Sequence, residues 1–266
     1  MLVVCDLDRT LIPNGQESYS GSLPKFYEMI DERPEITLAY ATGRNLELFK
    51  LAETEFGIKK PDFLLGSVGT EVFKQEAGEM VPELDWYKYL EVQHANWSRD
   101  DLVQDLTGSF EENILWLQED NVQNKYKVSY YLKDENYRSV VVEVMEKYLN
   151  QNNVEAEVVY SFDPHKNLGL IDVLPVKATK LGALEFLISK LNKDKEEVVY
   201  SGDSGNDLLP LTAGIKAVLV NNARDEVKEE ALKIVKERSY EDKLYISKGN
   251  YADGVIEGLK YFGVFR

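Results

Sequence analysis

Asp6 and Asp8 stand two residues apart at the end of the apolar run VVCDLDRTLI. Buried carboxylates are costly unless a cation or a hydrogen-bond donor meets them. The pair is therefore either a strand that ends and turns, or the edge of a metal site. Three later segments bear on the choice. YATGR puts Thr42 and Gly43 just past a second apolar run, LPVKATK puts Lys180 at the expected start of a helix, and YSGDSGNDLLPL carries Asp203 and Asp207 behind a third run. Together these residues make a coherent phosphoryl-transfer set. Carboxylate oxygens suit a hard, octahedral Mg2+ ion, and a carboxylate can act as the nucleophile and form an aspartyl-phosphate. A hydroxyl, backbone N–H groups and a lysine can hold phosphoryl oxygens as charge spreads in the transition state. The plainer readings are Thr42 as a helix cap, Asp207 as a capping carboxylate, and Arg9 as a side chain leaning into solvent rather than one that contacts a substrate or the inserted module.

Such residues need a scaffold that gathers distant segments at one edge. LVVCDL is the near-continuous apolar run of a parallel strand buried on both faces. LPKFYEMIDE reads as a helix, ITLAYATG as a second buried strand, and NLELFKLAETEFG as a helix closed by Gly57. DFLLGSVGTEVF supplies a strand, a turn at Gly69 and a further strand. After about residue 175 the style returns, with a helix over TKLGALEFLISKL and strands over EEVVYSGD and KAVLV. Strands alternating with helices predict an α/β fold: a Rossmann-like core with a mostly parallel sheet and helices on both faces. The candidate residues fall at strand C-terminal ends or helix starts, where open α/β sheets place their crevices.

Between residues 81 and 172 the texture changes. WYKYLEVQHANWSRDDLVQDLTG is aromatic and polar, VQNKYKVSYYLK has mixed strand-like alternation, SVVVEVMEKYLNQNN reads as a helix, and VEAEVVYSFD and KNLGLIDVLP read as strands. The expectation is an α+β module, residues 81–172, inserted into a core made of residues 1–80 and 173–266.

The bulk properties set limits. A length of 266 residues allows one large domain or two modest ones. A formal charge of -16 argues against nucleic acid and anionic membranes as partners. It leaves room for an anionic small molecule, since a local Mg2+ and a lysine outweigh distant negative surface. Cys5 is the single cysteine, so no intramolecular disulfide forms. No basic leader and no apolar run of 18 residues is present, and the expected location is cytoplasmic. His94 and His165 meet no metal-ligand spacing rule. The glycines of GSVGTEVF lack the nucleotide-binding pattern.

DLDRT, ATGR, Lys180 and GDSGND resemble, in order and separation, the four motifs of haloacid-dehalogenase (HAD) superfamily phosphatases with a large α/β cap between the second and third. The resemblance implies Asp6 as nucleophile and Asp8 as the acid that protonates the leaving oxygen, then as the base that activates water. It places Mg2+ on Asp6, the Asp8 carbonyl and Asp203, with Asp207 as a further ligand or holding a metal water. Thr42, the Gly43 N–H and Lys180 would bind the phosphoryl group. LAYATGR, PDFLLGSVGTEVF, HANWSRD, NKYKVSYYL and SGDSGNDLLPL are similar to the sucrose-phosphate phosphatases of photosynthetic bacteria and plants. That likeness makes Lys127 and Tyr130 candidates for sugar contacts, with His94, Asn96, Arg99 and Asn206 beside them. It implies hydrolysis of sucrose 6-phosphate. Phosphatases of mannosylfructose phosphate or mannosyl-3-phosphoglycerate are the enzymatic alternatives, and a non-catalytic partner of a sugar-phosphate synthase is the remote one. Association with such a synthase could also accompany catalysis.

Overall fold

The computed structural model describes residues 1–14 and 21–265. In chain order the elements are β1 (Leu2–Cys5), α1 (Leu23–Asp31), β2 (Thr37–Ala41), α2 (Leu46–Phe56), β3 (Phe63–Gly66), β4 (Glu71–Glu76) and β5 (Glu79–Pro82). Next come α3 (Leu84–Gln93), α4 (Arg99–Thr107), β6 (Leu115–Leu117), β7 (Val128–Leu132), α5 (Arg138–Gln151), β8 (Ala156–Asp163) and β9 (Leu168–Pro175). The chain closes with α6 (Lys180–Lys190), β10 (Val198–Gly202), α7 (Leu208–Leu211), β11 (Lys216–Leu219), α8 (Asp225–Glu237), β12 (Leu244–Ile246) and α9 (Tyr251–Tyr261).

The larger sheet has the order β12-β11-β10-β1-β2-β3-β4-β5. Its strands from β12 to β3 are parallel, and the hairpin of β4 and β5 extends it antiparallel. Alternate residues of each strand feed opposite faces, as the two-residue period requires. Val3 and Cys5 join a core built with Phe26 of α1, Phe49 of α2 and Val255 of α9. Leu2 and Val4 join another built with Trp86 of α3, Leu184 of α6 and Ala231 of α8. Helices thus cover both faces of an α/β, Rossmann-like core. The order runs outward in both directions from β1, so the cleft outside its C-terminal end is a topological switch point.

The second sheet, β6-β7-β9-β8, is antiparallel throughout. One face buries Val128, Tyr130, Leu132, Ile171 and Val173 against Leu102 and Leu106 of α4 and Val141, Met145 and Leu149 of α5. The other face turns toward the large sheet. The sequence reading began the inserted module at residue 81, but β5 and α3 pack with the larger unit. Trp86 is fully buried among core residues, its ring 5.1 Å from that of Phe186, and its indole N–H donates to the Thr70 carbonyl. An amphipathic helix reads the same from sequence whichever sheet it covers. Among the described residues no helix is long and apolar enough to cross a membrane.

Candidate active site

Asp6 follows directly on β1, Thr42 on β2 and Asp203 on β10, so parallel pairing carries all three to one edge. Lys180 arrives as the first residue of α6, with the Thr179 hydroxyl capping that helix through the Gly182 N–H. The start of α6 is pinned by Gly69, where an added Cβ would lie 2.2 Å from the Thr179 carbonyl oxygen; its φ of +98° also excludes most side chains. The turn at Gly69, legible in the sequence as a turn, thereby helps to place the lysine.

Lys180 is the buried hub. Its Nζ donates to Oδ1 of Asp6 and Oδ1 of Asp207, both at 2.8 Å. Tyr200 donates its hydroxyl to the same Asp207 oxygen, while Asp207 Oδ2 accepts from the Asp203 and Ser204 backbone N–H groups. Asp207 does cap the turn at Ser204, as its plainer reading has it, and it also anchors the lysine, a role the sequence did not suggest. The Thr10 hydroxyl lies 3.3 Å from Asp6 Oδ2 and 3.2 Å from Asp203 Oδ1, tying the two carboxylates together.

Burial drives the electrostatics. Desolvation raises the Asp6 carboxyl to about 7; Lys180 pulls it down, while Asp207 and Asp8 push it up. Asp203 is raised well above the carboxylate range by burial and by the charges of Asp6 and Asp207. Asp6, Asp203 and Asp207 each present an oxygen within 4.8 Å of the others. An all-oxygen donor set carrying more negative charge than Lys180 neutralises fits a hard divalent cation. Asp207 is the most heavily engaged of the three, accepting from Lys180, Tyr200 and two backbone N–H groups.

Asp8 is half-buried at the mouth. Arg44 grips it with a fork, Nε to Oδ2 at 2.9 Å and Nη2 to Oδ1 at 2.7 Å. Thr42 is fully buried and its hydroxyl accepts the Arg44 backbone N–H, whereas Gly43 is exposed at the rim. Arg9 departs from its expected place in solvent, since its Nε donates to Asp203 Oδ2 at 3.2 Å.

A crevice of about 340 Å3 joins this edge to the second sheet; Asp6, Asp8, Gly43, Arg44, Asp203 and Asn206 line one part of it, and Lys127, Ser161 and Asp172 another. Small-molecule sites have volumes of roughly 300–1,000 Å3. Of the expected sugar contacts, Lys127 is there, its Nζ 3.6 Å from Asp172 Oδ1 and donating to the Val122 carbonyl. Tyr130 is not. It is fully buried in the core behind the sheet, because successive residues of β7 face opposite ways and Tyr130 shares its side with Val128 and Leu132. His94 caps the end of α3, Asn96 is exposed, and Arg99 begins α4; none lines the crevice. The sequence reading missed Asp172 and Arg44. Arg44 lies inside the quoted ATGR, and Asp172 pairs with Ser129 across β7 and β9, its carboxylate accepting from the Ser129 hydroxyl.

A profile of the sucrose-6F-phosphate phosphohydrolase family matches residues 1–263. A HAD-like hydrolase of Nitrosococcus oceani is 35% identical, covering 98% of this chain and 71% of its own length. The mannosylfructose-phosphate phosphatase of Agrobacterium fabrum is 27% identical over 99% of this chain and 97% of its own. The chain spans about three-fifths of the length of Arabidopsis thaliana relatives named "probable sucrose-phosphatase", 60% and 59% for two of them. Among solved structures, the sucrose-phosphatase of Synechocystis sp. PCC6803, in complex with sucrose and phosphate, superposes with a TM-score of 0.82 at 26% identity, covering 99% of this chain and 98% of that one. With the profile running along nearly the whole length and the acidic cleft set at the fold's switch point, the chain belongs to the sucrose-6F-phosphate phosphohydrolase family, within the HAD-type phosphatases that carry an inserted cap.

Proposed function

We propose that the protein hydrolyses sucrose 6-phosphate to sucrose and phosphate, with Mg2+ bound at the acidic cleft. The observation that carries this reading is that one crevice is lined both by Asp6 and Asp8 and by the polar cap residues Lys127 and Asp172. Likeness to a sucrose-phosphatase whose structure holds sucrose and phosphate supports it.

In this reading the Asp6 carboxylate attacks phosphorus, and the bond from phosphorus to the sugar oxygen breaks. Asp8 gives its proton to the departing alkoxide, a poor leaving group that needs one. Asp8 then takes a proton from water, whose oxygen attacks the aspartyl-phosphate; the Asp6 oxygen–phosphorus bond breaks and both carboxyl groups are restored. Lys180 holds Asp6 in place through Oδ1 and offsets its charge. The Gly43 N–H and the Thr42 hydroxyl serve the phosphoryl oxygens, and Asn206 faces the same space. Asp6, Asp203 and the Asp8 carbonyl would hold Mg2+, with Asp207 behind them. The ion would supply positive charge that offsets the negative charge of the reacting groups. Over the leaving group the cap excludes water and adds binding energy remote from phosphorus.

A second reading is hydrolysis of mannosylfructose phosphate, favoured by the near-complete mutual coverage with the Agrobacterium enzyme. Phosphate release from sucrose 6-phosphate, mannosylfructose phosphate, mannosyl-3-phosphoglycerate, fructose 6-phosphate and glucose 6-phosphate, with Mg2+ and with chelator, separates them. The proposal expects metal-dependent turnover with a large preference for sucrose 6-phosphate. No turnover of that substrate would sink it.

A further inference from the structure

Arg9 occupies an unusual place. It sits between Asp8 and Thr10, and its φ of +62° lies in the left-handed region that L-residues seldom adopt. Such a conformation persists only where its surroundings impose it. Here the backbone N–H of Arg9 donates to the Ile12 carbonyl, and its own carbonyl accepts from Asn222 Nδ2 at 2.6 Å. Arg9 Nη2 returns a bond to the Asn222 carbonyl at 2.8 Å. Asn222 is oriented in turn, since its side-chain oxygen accepts the Tyr251 backbone N–H at 2.9 Å. The loop after β1, the segment after β11 and the start of α9 are thereby tied to one another around Arg9.

A further bond gives the arrangement a chemical consequence. Arg9 Nε reaches Asp203 Oδ2, and the Thr10 hydroxyl reaches Oδ1 of the same carboxylate. Both Asp203 oxygens are thus met from consecutive residues of the loop that also carries Asp8. The Arg9 side chain is largely buried, 17% exposed, and Asp203 is 3% exposed, so water screens this charge pair poorly. A fixed guanidinium on one oxygen withdraws part of the negative charge that the other offers. Affinity for a hard cation follows ligand charge and site rigidity, and these two factors act in opposite directions here.

We propose that Arg9 is a positioning residue that aligns Asp203 and, by sharing its charge, weakens the hold of this site on a divalent cation. The inference rests on Asp203 being a metal ligand, as in the reading above. Charge removal relieves the repulsion between a guanidinium and Mg2+ and outweighs the loss of alignment in the resting protein. Alignment matters instead in turnover, where Asp203 must stay fixed as the phosphoryl group moves.

The test is calorimetric titration of Mg2+ into substrate-free protein, comparing wild type with Arg9→Met and Arg9→Lys. Met matches the length of the aliphatic stem and, being unbranched at Cβ, adds no new backbone strain. Lys keeps the charge without the fork. Arg9→Met is expected to bind Mg2+ more tightly, by about three- to tenfold, while turning over more slowly at saturating Mg2+. Arg9→Lys is expected to bind Mg2+ like wild type. Equal or weaker binding by Arg9→Met, with wild type binding normally, overturns the role of Arg9 and leaves the metal site standing. Should Arg9→Met fail to fold, Arg9→Lys decides: Mg2+ affinity clearly above wild type would overturn the charge argument. No Mg2+ binding by wild type itself overturns both this inference and the metal reading beneath it.

Discussion

The guanidinium of Arg44 closes on both carboxylate oxygens of Asp8, at 2.9 and 2.7 Å. Held by both oxygens, Asp8 must exchange this partner before it can engage a leaving group. An arriving phosphoryl dianion offers Arg44 a competing bidentate acceptor, so substrate entry itself can release Asp8. Arg44→Ala should lower kcat by about a hundred- to a thousandfold, the scale of losing one oriented donor near a reacting anion. Arg44→Lys should fall between, because a point charge cannot reproduce the fork. The decisive measurement is a double-mutant cycle with Asp8→Asn. If Arg44 works through Asp8, the combined loss is much smaller than the product of the single losses; fully multiplicative losses would separate the two residues.

The buried carboxylates make the metal-free protein sensitive to pH in a particular direction. Asp6 is raised from 3.8 to about 7, chiefly by burial, and Asp203 is raised in the same sense. Between those values the folded protein keeps a proton that the unfolded chain has released. Stability therefore falls as pH rises through that window. With metal removed, the melting temperature should drop between pH 5 and pH 8. Saturating Mg2+ at pH 8 should restore it by about 5 °C or more. Asp6→Asn, which takes one acid out of the balance, should flatten the slope. A melting temperature that climbs from pH 5 to pH 8 in chelator would contradict the assignment.

Asp6 is also the residue whose loss should be absolute. Asp6→Asn removes the nucleophile while keeping the shape and one acceptor for Lys180, so the fold should survive. Phosphate release should fall by about a thousandfold or more, for activated aryl phosphates as well as sugar phosphates. Rapid-quench detection of a phosphorylated protein in wild type and none in the variant is the companion observation.

Lys127 separates substrates rather than stopping chemistry. It lines the crevice from the second sheet, its ammonium beside Asp172, whereas Asp6 and Lys180 belong to the core edge. Lys127→Ala should raise KM for the disaccharide phosphate by about tenfold, the worth of a lost charge-assisted hydrogen bond, with much less effect on an aryl phosphate. Equal effects on both would mean that Lys127 only supports the cap.

How much of this was legible in the sequence follows from how each feature is encoded. Asp6, Thr42 and Asp203 end apolar runs, and parallel pairing leaves them little choice but one shared edge. The sugar-facing residues obey a weaker rule. In β7 a two-residue period sets Ser129 apart from Val128 and Tyr130, but KYKVSYYL has aromatic residues on both phases, so composition alone cannot say which face is buried. Tyr130 was misplaced for that reason, and Asp172 was missed because its partner lies across the sheet. Arg9 was misread because its direction depends on Asn222 and Asp203, both distant in sequence. Helix α3 was assigned to the cap because its aromatic content resembles the module that follows, while its packing partner is α6.

The seam between cap and core supplies the last prediction. Arg224 donates two bonds to Glu135, at 2.8 and 2.9 Å, and the Tyr160 hydroxyl donates to the same carboxylate. The Arg224 guanidinium also sits 4.4 Å from the Phe162 ring centre, and that of Arg138 sits 4.2 Å from the ring of Tyr160. Nearby, Gly205 meets the Tyr160 carbonyl so closely that an added Cβ would lie 2.2 Å from it. Strand β8 is thus seated on the loop carrying Asp203 and clamped at its side. The pairing with Arg224, helped by Tyr160, holds Glu135 below its ordinary value of 4.5. Its contribution is present above that value and disappears as pH falls through the lower folded-state value. Glu135→Gln should speed hydrogen exchange of the β8 amides at pH 7 by about threefold, the scale of a partly exposed ion pair. The difference should shrink in 1 M salt, where the Debye length falls to about 3 Å. Wild type should lose the same protection as the pH is lowered below 4.5, after correction for intrinsic exchange. If β8 exchanges identically in wild type and variant at pH 7, the pair does not hold the cap down, and the close seat at Gly205 is enough by itself; Gly205→Ala would then be the change that lifts the strand.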